Sequence, residues 1–263
     1  MEPRAQFAVS ADGYDRFMGR YSEPLAPLFA DFAGVEAGTR VLDVGCGPGA
    51  LTTELARRLG ATGVSAIDPA EHFVERCRAR VPEADVQRAA AEELPFENGT
   101  FDTALSQLVV SFMRDADTGV TEMRRVVRPG GAVAACMWAD GEMEMLGVFW
   151  GAASKVDSAG RDADLRMRYR KREELEGLLE RAGLEEIRAE RLSVESEYEG
   201  FDAFWEALRT AAAGPIGAFY AKLDDDQRAR LRDECRSRLG NPQGSFTLTA
   251  AAWAVCGRAG DAA

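Results

Sequence analysis

The feature that most constrains this chain is a glycine-rich turn between a short apolar run and an amphipathic stretch. The turn, Gly45-Cys46-Gly47-Pro48-Gly49, follows the apolar run 40 to 44, and Leu51, Leu55 and Leu59 then recur at helical spacing. Glycines lack a Cβ, so the backbone can bend tightly and approach a ligand closely. Tight packing of a helix on a strand uses glycine in the same way. The pattern predicts a strand, a turn and a helix, with a flat ligand packed on the turn as the favoured interpretation.

Apolar runs and amphipathic stretches continue to alternate along the chain. The predicted strands are 40–44, 64–68, 85–89, 101–107, 132–137, 187–194 and 246–255, and the predicted helices include 70–81, 117–127, 171–182 and 201–213. This order is typical of an α/β fold, here a doubly wound, mostly parallel seven-stranded sheet with a helical cap insertion. We expect a single domain with N-terminal cap helices in 1–36, a core in 37–138 and substrate-cap segments in 139–170 and 199–240.

Charge and cysteine content narrow the kind of partner. The net charge is −12 and no long Lys/Arg run occurs, which disfavours nucleic acid and anionic membranes and favours a small-molecule substrate. The 5 cysteines form no CxxC pair, which disfavours a disulfide framework and a zinc site. Neither a signal peptide nor a membrane span is predicted. We therefore expect a cytoplasmic protein without a metal; the sequence does not predict its oligomeric state.

Two acidic residues stand at strand ends near the turn. Asp43 ends the first strand, and Asp68 ends the second at about the spacing expected for an acid that binds ribose hydroxyls. Asp68 also precedes Pro69-Ala70 and suits a helix N-cap, and the two roles can coexist. The residues thus indicate a nucleoside-containing ligand.

The turn distinguishes two classes of ligand. A dinucleotide-binding turn reads GxGxxG and seats a pyrophosphate on the helix N-terminus, whereas this turn reads GxGxGA. The carboxylate of Asp43 would repel a pyrophosphate and attract an ammonium group. A nucleoside that carries an amino-acid tail is therefore favoured over a nicotinamide cofactor.

These residues resemble the class I S-adenosylmethionine-dependent methyltransferases, especially the ubiquinone-type and small-molecule natural-product group. The matching segments are VLDVGCGPG at 41–49, Asp68, AAEELPF at 90–96, FDTALSQ at 101–107 and RVVRPGG at 125–131. The resemblance covers about residues 12–138 and implies S-adenosyl-L-methionine as cofactor. It departs from the family at Ala90, where an aspartate is common, so one adenine contact is missing.

The resemblance also implies roles for single positions. It implies that Asp43 and the backbone of Gly45, Cys46 and Gly47 hold the methionine tail, and that Asp68, followed by Pro69, binds the ribose. Phe73 would cover the adenine, Ala91 and Glu92 would offer backbone contacts to its edge, and Gln107 would face the methionine moiety. Phe73 also belongs to a helical core stripe with Val74 and Cys77, which is the alternative.

Segments outside the core supply candidates for covering the cofactor and binding an acceptor. Tyr14 and Arg20 could reach the methionine carboxylate, or their segment could be a surface helix docked through Phe17 and Met18. The carboxyl ends of the strands should hold the acceptor, with Trp138, Phe149 and Tyr169 as candidate walls. The aromatic residues Phe201, Phe204 and Trp205 fall at helical core spacing, which favours packing.

The sequence does not identify a catalytic base. His72, the only histidine, lies beside the ribose acid and is expected at the solvent or adenine edge rather than in catalysis. The sequence therefore predicts a methyltransferase for a small, apolar or aromatic acceptor, with O-, N- and C-methylation open. Two alternatives stay open: an S-adenosylmethionine-binding protein without turnover, and an NAD-dependent oxidoreductase.

Overall fold

The computed structural model describes residues 11–157, 168–210 and 215–260. Their strands are β1 (Val41–Val44), β2 (Val64–Asp68), β3 (Asp85–Arg88), β4 (Phe101–Gln107), β5 (Val127–Met143), β6 (Leu184–Tyr198) and β7 (Phe246–Ala259). Their helices are α1 (Ala11–Tyr14), α2 (Arg20–Ala33), α3 (Ala50–Leu59), α4 (Glu71–Arg80), α5 (Ala116–Val126), α6 (Glu144–Val156), α7 (Arg172–Arg181), α8 (Phe201–Thr210), α9 (Pro215–Tyr220) and α10 (Asp225–Arg238). A π-helix, Asp15–Gly19, joins α1 to α2.

The strands form one 7-stranded mixed sheet in the order β3-β2-β1-β4-β5-β7-β6. Strand β1 pairs in parallel with β2 on one side and β4 on the other, and β2–β3 and β4–β5 are also parallel. The strand order reverses between β1 and β4. Open α/β sheets bind ligands at such a switch point, outside the carboxyl ends of the strands. The predicted doubly wound α/β fold is confirmed.

The elements around the switch point follow from local sequence. Every residue of β1 and β2 is buried, as expected for apolar strands covered on both faces. Helix α3 buries Leu51, Thr52 and Leu55 and exposes Thr53 and Arg57. Helix α5 is capped by Asp115, whose side chain accepts hydrogen bonds from the amides of Asp117 and Thr118. These strands and helices hold the turn after β1 in a fixed position.

The described residues fall into two compact units. One contains 22–140, 168–193 and 251–260, and includes β1 to β4 with the helices that follow them. The other contains 11–21, 141–157, 194–210 and 215–250; within it α6 packs on α10, and the π-helix packs on α8. The single-domain description and its cap segments stay a prediction.

The main differences from prediction concern strand lengths. We predicted a strand over 132–137, but β5 begins at Val127, because Val127 pairs with Phe101 before an irregularity and the pairing resumes at Thr103 and Ala132. Strand β6 likewise runs 184–198 rather than 187–194. Helix α8 is described to Thr210, and the predicted remainder, 211–213, lies outside the described residues. Parts of the predicted cap segments, 1–10 and 158–167, also lie outside them.

Candidate functional site

The carboxyl ends of β1, β2 and β4 bring together three predicted site residues. Val44 of β1 is aligned with Ile67 of β2, so Asp68 lies beside the start of the glycine turn. Asp43 is aligned with Leu105 of β4, two residues before Gln107. Residues that are 64 positions apart in sequence thus share one edge of the sheet.

Asp43 is a buried carboxylate with one oxygen unused. It is 1% exposed, and its Oδ2 accepts a hydrogen bond of 2.7 Å from the hydroxyl of Thr52 on α3. Its Oδ1 has no hydrogen-bond partner among the described residues. Burial raises the pKa of Asp43 to about 7, with a further increase from the negative charge of Asp68 and a partial decrease from Thr52. A cation at Oδ1 would satisfy this group.

Asp68 is also buried, but both of its oxygens accept backbone hydrogen bonds. Oδ2 accepts from the amide of Gly47 at 3.0 Å, and Oδ1 from the amide of Ala70 at 2.8 Å. Burial raises the pKa of Asp68 to about 6, and the two amides oppose that rise. The N-cap of α4 is Ala70, without a side-chain cap hydrogen bond, so the predicted N-cap role of Asp68 is wrong, and its bond to the Ala70 amide lies in the turn before the helix. Each carboxylate oxygen has a second lone pair, so ribose hydroxyls can still donate to Asp68.

The amides of the glycine turn point back into the protein. The N–H groups of Gly45 and Cys46 both donate to the carbonyl of Ile67, at 2.8 and 2.9 Å, and that of Gly47 donates to Asp68. A pyrophosphate needs such amides as donors. The turn has already used these three amides, and Asp43 adds negative charge beside them, so the geometry opposes a dinucleotide and favours a cationic ligand. The backbone contacts predicted for the methionine tail must therefore come from the carbonyl oxygens of the turn.

The three glycines of the turn serve different purposes. A Cβ on Gly45 would lie 2.5 Å from Cγ1 of Val109, and a Cβ on Gly49 would lie 3.1 Å from Sγ of Cys77. These two positions are glycine because the protein packs against them. A Cβ on Gly47 would meet no described atom within 4 Å. Packing therefore accounts for Gly45 and Gly49, and the ligand interpretation stays a prediction for Gly47.

Gln107 adds acceptors to the same edge. Its Nε2 donates to the carbonyl of Ser22 on α2 at 2.9 Å, so the amide nitrogen is held by the protein. Its Oε1 and the hydroxyl oxygens of Ser22 and Ser106 are buried without a partner in the described part of the chain. Unsatisfied buried polar atoms are rare in native proteins and commonly mark a missing ligand or water. With Asp43 they fit a ligand bearing an ammonium group.

The predicted adenine residues lie in the same unit as this edge. Phe73 on α4 is 3% exposed, and the rings of His72 and Phe73 are 4.3 Å apart. Pro69 is exposed and Ala91 is buried. The side chain of Glu92 accepts from the amides of Arg114 and Asp115 at 2.6 and 3.1 Å, so it fixes the start of α5. The adenine roles stay predictions.

The N-terminal candidates make contacts inside the second unit. The guanidinium of Arg20 lies 3.9 Å from the ring centroid of Tyr198, and its Nη2 donates to the carbonyl of Glu197 at 3.3 Å. Tyr14 is half-buried and directly precedes the π-helix. Arg20 therefore has a structural role on Tyr198, and a cofactor role for Tyr14 and Arg20 stays a prediction.

The acceptor candidates differ in their surroundings. Trp138 is 6% exposed near the carboxyl end of β5, and Tyr169 is 5% exposed with a left-handed φ of 61°. Phe149 is 1% exposed and makes edge contacts with Trp150 and Phe219, which is ordinary core packing. Core packing also accounts for the aromatic residues of α8, Phe201, Phe204 and Trp205, which contact one another.

Sequence reasoning did not identify Thr52, Ser22 and Ser106. Thr52 is a polar residue on the buried face of α3, beside Leu51 and Leu55. A polar residue at a buried helix position indicates a buried hydrogen bond, and the sequence alone contains this signal. Ser106 sits in the apolar interior of β4 in the same way. The Ser22 carbonyl carries no sequence signal, because any residue supplies one.

Within the described residues no cluster of His, Cys, Asp or Glu could hold a metal ion. None of the helices in residues 11–157, 168–210 and 215–260 combines the length and apolar character that a bilayer crossing requires.

Comparisons with known proteins identify the family of this chain. Residues 41–131 match the family model described as a methyltransferase domain. The malonyl-[acyl-carrier protein] O-methyltransferase of Geobacter sulfurreducens is 31% identical over 212 residues, which cover 79% of this chain and 78% of that protein.

Solved structures share the fold at low identity. A candidate methyltransferase from Bacillus halodurans superimposes with a TM-score of 0.58 at 18% identity, covering 89% of this chain and 98% of that one. Phosphoethanolamine N-methyltransferase 2 of Haemonchus contortus, in complex with phosphomonomethylethanolamine and S-adenosylhomocysteine, gives 0.57 at 19% identity, covering 94% and 57%. The Rossmann-like fold and the match to a methyltransferase domain define the chain as a methyltransferase. The chain belongs to the class I S-adenosylmethionine-dependent methyltransferases.

Proposed function

We propose that this enzyme transfers the methyl group of S-adenosylmethionine to a small-molecule acceptor that is apolar or aromatic. The observation that supports the cofactor's placement is the unpartnered, buried Oδ1 of Asp43 among the described residues. An anion buried without a counterion is unfavourable, and the ammonium of the methionine tail supplies that counterion.

The remaining cofactor contacts follow from the same edge of the sheet. Oε1 of Gln107 and the carbonyls of Gly45, Cys46 and Gly47 accept from the ammonium, while Asp68, beside Pro69, accepts from the ribose hydroxyls. Phe73 covers the adenine face, and the backbone at Ala91 and Glu92 meets its edge.

Methyl transfer from a sulfonium mainly requires that the acceptor atom be aligned with the methyl group. The sulfonium already activates the methyl group, so the protein must hold the acceptor atom in line with the S–CH₃ bond at near-attack distance. An acceptor that carries a proton also needs a base within hydrogen-bond reach. The sulfonium of the bound cofactor supplies the electrophile. The hydrogen-bond acceptors at the carboxyl ends of β1, β2 and β4 keep the cofactor in one orientation.

We place the acceptor beside Trp138 and Tyr169. The aromatic character of Trp138 and Tyr169 supports an apolar acceptor. The net charge of −12 opposes nucleic acid and anionic membranes as partners, in keeping with a cytoplasmic enzyme.

A second candidate acceptor is a malonyl group on an acyl carrier protein. It is supported by the relative from Geobacter sulfurreducens, whose identity extends over 79% of this chain. The reaction then forms a methyl ester from a carboxylate, which at neutral pH needs no base, because the acceptor oxygen is already deprotonated.

The experiment uses S-adenosylmethionine with a labelled methyl group. Isothermal titration with S-adenosylmethionine and NADH is followed by transfer assays on phenols, apolar carboxylic acids, amines and malonyl-acyl carrier protein. We expect saturable heat with S-adenosylmethionine and label in an apolar or aromatic acceptor. Label in malonyl-acyl carrier protein alone would select the second candidate, and heat with NADH alone would overturn both.

The matched variants are Asp43→Asn and Asp31→Asn. Asp43 faces the proposed ammonium, whereas Asp31 pairs with Arg58 at 2.5 Å on the surface. Loss of methyl transfer is expected only in Asp43→Asn. Equal activity in the two variants would contradict the proposed site.

A further inference from the structure

Side chains of α5 hold the loop that connects β3 to β4. Arg125, in the last turn of α5, donates from Nη2 to the carbonyl of Leu94 at 3.0 Å and from Nη1 to the carbonyl of Phe96 at 2.8 Å. Its Nη1 also donates to Oδ1 of Asn98 at 2.9 Å. Arg125 opens the matching segment 125–131, which the proposed cofactor contacts do not involve. One side chain therefore fixes three residues of the loop.

Glu122 attaches the same loop through a further bond. It lies one turn before Arg125 on α5, and its two carboxylate oxygens accept from Nε and Nη2 of Arg125, each at 2.7 Å. Oε2 also accepts from the amide of Leu94 at 3.0 Å. The N–H and the C=O of Leu94 are thus both bonded to the ion pair. A two-bond pair between a guanidinium and a carboxylate fixes geometry as well as adding energy.

The start of the loop is attached to α5 as well. Gly119 brings the helix close to Ala91, because a Cβ on Gly119 would lie 3.4 Å from Cβ of Ala91. The carboxylate of Glu92 accepts from the amides of Arg114 and Asp115, just before the helix. The position of α5 therefore determines where the backbone of Ala91 and Glu92 lies.

The amides of Ala91 and Glu92 are two hydrogen-bond donors without an acceptor in the described part of the chain. The next amide, that of Glu93, donates to the carbonyl of Ala90 at 3.2 Å. Ala91 is 5% exposed, and the N–H of a buried residue normally has a partner. Donors that are fixed in this way suit a ligand that presents acceptor atoms.

We propose that Glu122 and Arg125 are positioning residues that hold these two amides against the adenine and so make the enzyme selective for adenine over hypoxanthine. This role rests on the proposed function, because it takes the backbone at Ala91 and Glu92 as the part that meets the adenine. Neither side chain of the ion pair has to touch the cofactor. Their effect passes through Leu94, which follows Glu92 by two positions.

The selectivity follows from the chemistry of the two bases. N1 of adenine carries no hydrogen and accepts a hydrogen bond from an amide, whereas N1 of hypoxanthine carries a hydrogen and cannot accept one. A fixed amide placed at N1 therefore has no bond to hypoxanthine and meets a second donor instead. A loop that is free to shift can move its amides away from that hydrogen. The penalty against hypoxanthine therefore falls when Glu122 or Arg125 is replaced.

The test measures the affinities of S-adenosylhomocysteine and S-inosylhomocysteine by titration calorimetry. We expect the unaltered chain to prefer the adenine ligand by at least about tenfold, and Arg125→Gln to reduce that preference by at least about fivefold, chiefly through weaker binding of S-adenosylhomocysteine. Glu122→Gln keeps an oxygen for the Leu94 amide but loses the charge, so its preference should lie between the two. It is the variant to use if Arg125→Gln fails to fold. The full preference in both variants would overturn the proposal, as would an unaltered chain that has no preference.

Arg57→Gln is the matched control. Arg57 pairs with Glu54 at the same spacing on α3, and its two bonds of 2.8 Å both go to that carboxylate. We expect unchanged affinities for both ligands. Equal weakening of both ligands in Arg125→Gln, with their ratio preserved, would show a merely structural role and refute the proposal. Failure of the unaltered chain to bind either ligand would instead overturn the proposed function, and this role with it.

Discussion

Thr52 donates its hydroxyl hydrogen to Oδ2 of Asp43 across 2.7 Å, in a site where the two residues are 0% and 1% exposed. This bond holds the carboxylate in one rotamer, and Oδ1 then has no partner among the described residues. The bond joins the first turn of α3 to the end of β1, so the packing of the helix on the strand sets the orientation of the anion.

The first prediction removes this bond. Thr52→Val keeps the shape of the side chain but leaves both oxygens of Asp43 without a donor, so we expect a loss of about 1–2 kcal/mol in unfolding free energy at pH 8. We also expect S-adenosylmethionine to bind about tenfold more weakly, which corresponds to about 1.4 kcal/mol. Denaturant titration and calorimetry measure the two effects.

Thr53→Val is the matched control. Thr53 is the next residue on the same helix, is exposed, and donates to the carbonyl of Gly49 at 2.7 Å. It should change affinity by less than about twofold, because its hydroxyl does not contact Asp43. A similar loss of affinity in both variants would show that helix propensity, and not the bond to Asp43, is responsible.

The second prediction concerns the pH dependence of binding. The pKa of Asp43 is raised to about 7 in the free protein, and the ammonium binds the deprotonated form. Affinity for S-adenosylmethionine should therefore fall by about tenfold from pH 8 to pH 6 and level off above pH 8. Binding at pH 6 should release a proton, measured by calorimetry in buffers of different ionisation enthalpy.

Methylthioadenosine is the control ligand, because it lacks the amino-acid tail. The pKa of Asp68 is raised to about 6, so the affinity for methylthioadenosine should depend on pH only below that value. A dependence near pH 7 identical for both ligands would place the titrating group away from the ammonium.

The third prediction concerns the free protein. The pKa of Asp43 is about 7 when folded, against an ordinary value of 3.8, so the folded state binds more protons between these values. Stability from this group therefore falls as pH rises from about 4 to 7. Asp43→Asn should be more stable than the unaltered chain at pH 8 by about 1–3 kcal/mol, with no gain at pH 4. Thermal unfolding without cofactor checks the sign.

Asp102→Asn should do the opposite. The amide of Arg40 and the guanidinium of Arg128 hold the pKa of Asp102 below its usual value, so this carboxylate contributes stability that is present at neutral pH and lost in acid. The variant should be less stable than the unaltered chain at pH 8. The same direction of change in both aspartate variants would contradict the burial argument.

The fourth prediction uses the open glycine. Gly47 has a φ of 52°, and its Cβ would meet no described atom within 4 Å. Gly47→Ala should cost about 1 kcal/mol in stability, because alanine disfavours the left-handed backbone. It should weaken S-adenosylmethionine binding by more than about tenfold, because the alanine Cβ would occupy the space proposed for the cofactor.

Gly34→Ala controls for backbone strain alone. Gly34 has a φ of 73° and equally open surroundings in the described structure, at the end of α2. We expect a comparable stability loss and unchanged affinity. If Gly47→Ala bound the cofactor normally, the turn would not border it as we propose.

The parts of the fold that were predictable depend on local pattern. The bounds of β2 and β4 follow from apolar runs in the sequence. The carboxylates at positions 43 and 68 could be placed because each stands at the end of such a run. The prediction began β5 at residue 132 and so left out its first residues, which include Pro129, Gly130 and Gly131. In the fold, pairing of Val127 with Phe101 extends the strand through them.

Contacts between distant parts of the sequence were not predictable from one chain. Arg20 stacks on Tyr198 and Gln107 donates to Ser22, and neither pair has a local signature. Arg20 was expected to reach the cofactor because a guanidinium suits a carboxylate, yet its position depends on an aromatic ring 178 residues later. Cofactor chemistry was thus visible from motifs, while the surroundings of each motif residue depended on tertiary packing.

The inward direction of the turn's amides has a consequence for turnover. With those donors bound to Ile67 and Asp68, the proposed site recognises the cofactor through the amino group and the sugar, neither of which changes when the methyl group leaves. The demethylated cofactor keeps the amino group and the sugar, and loses only the methyl group and the positive charge on its sulfur. We therefore expect it to compete strongly with fresh cofactor, so that sustained catalysis depends on its removal.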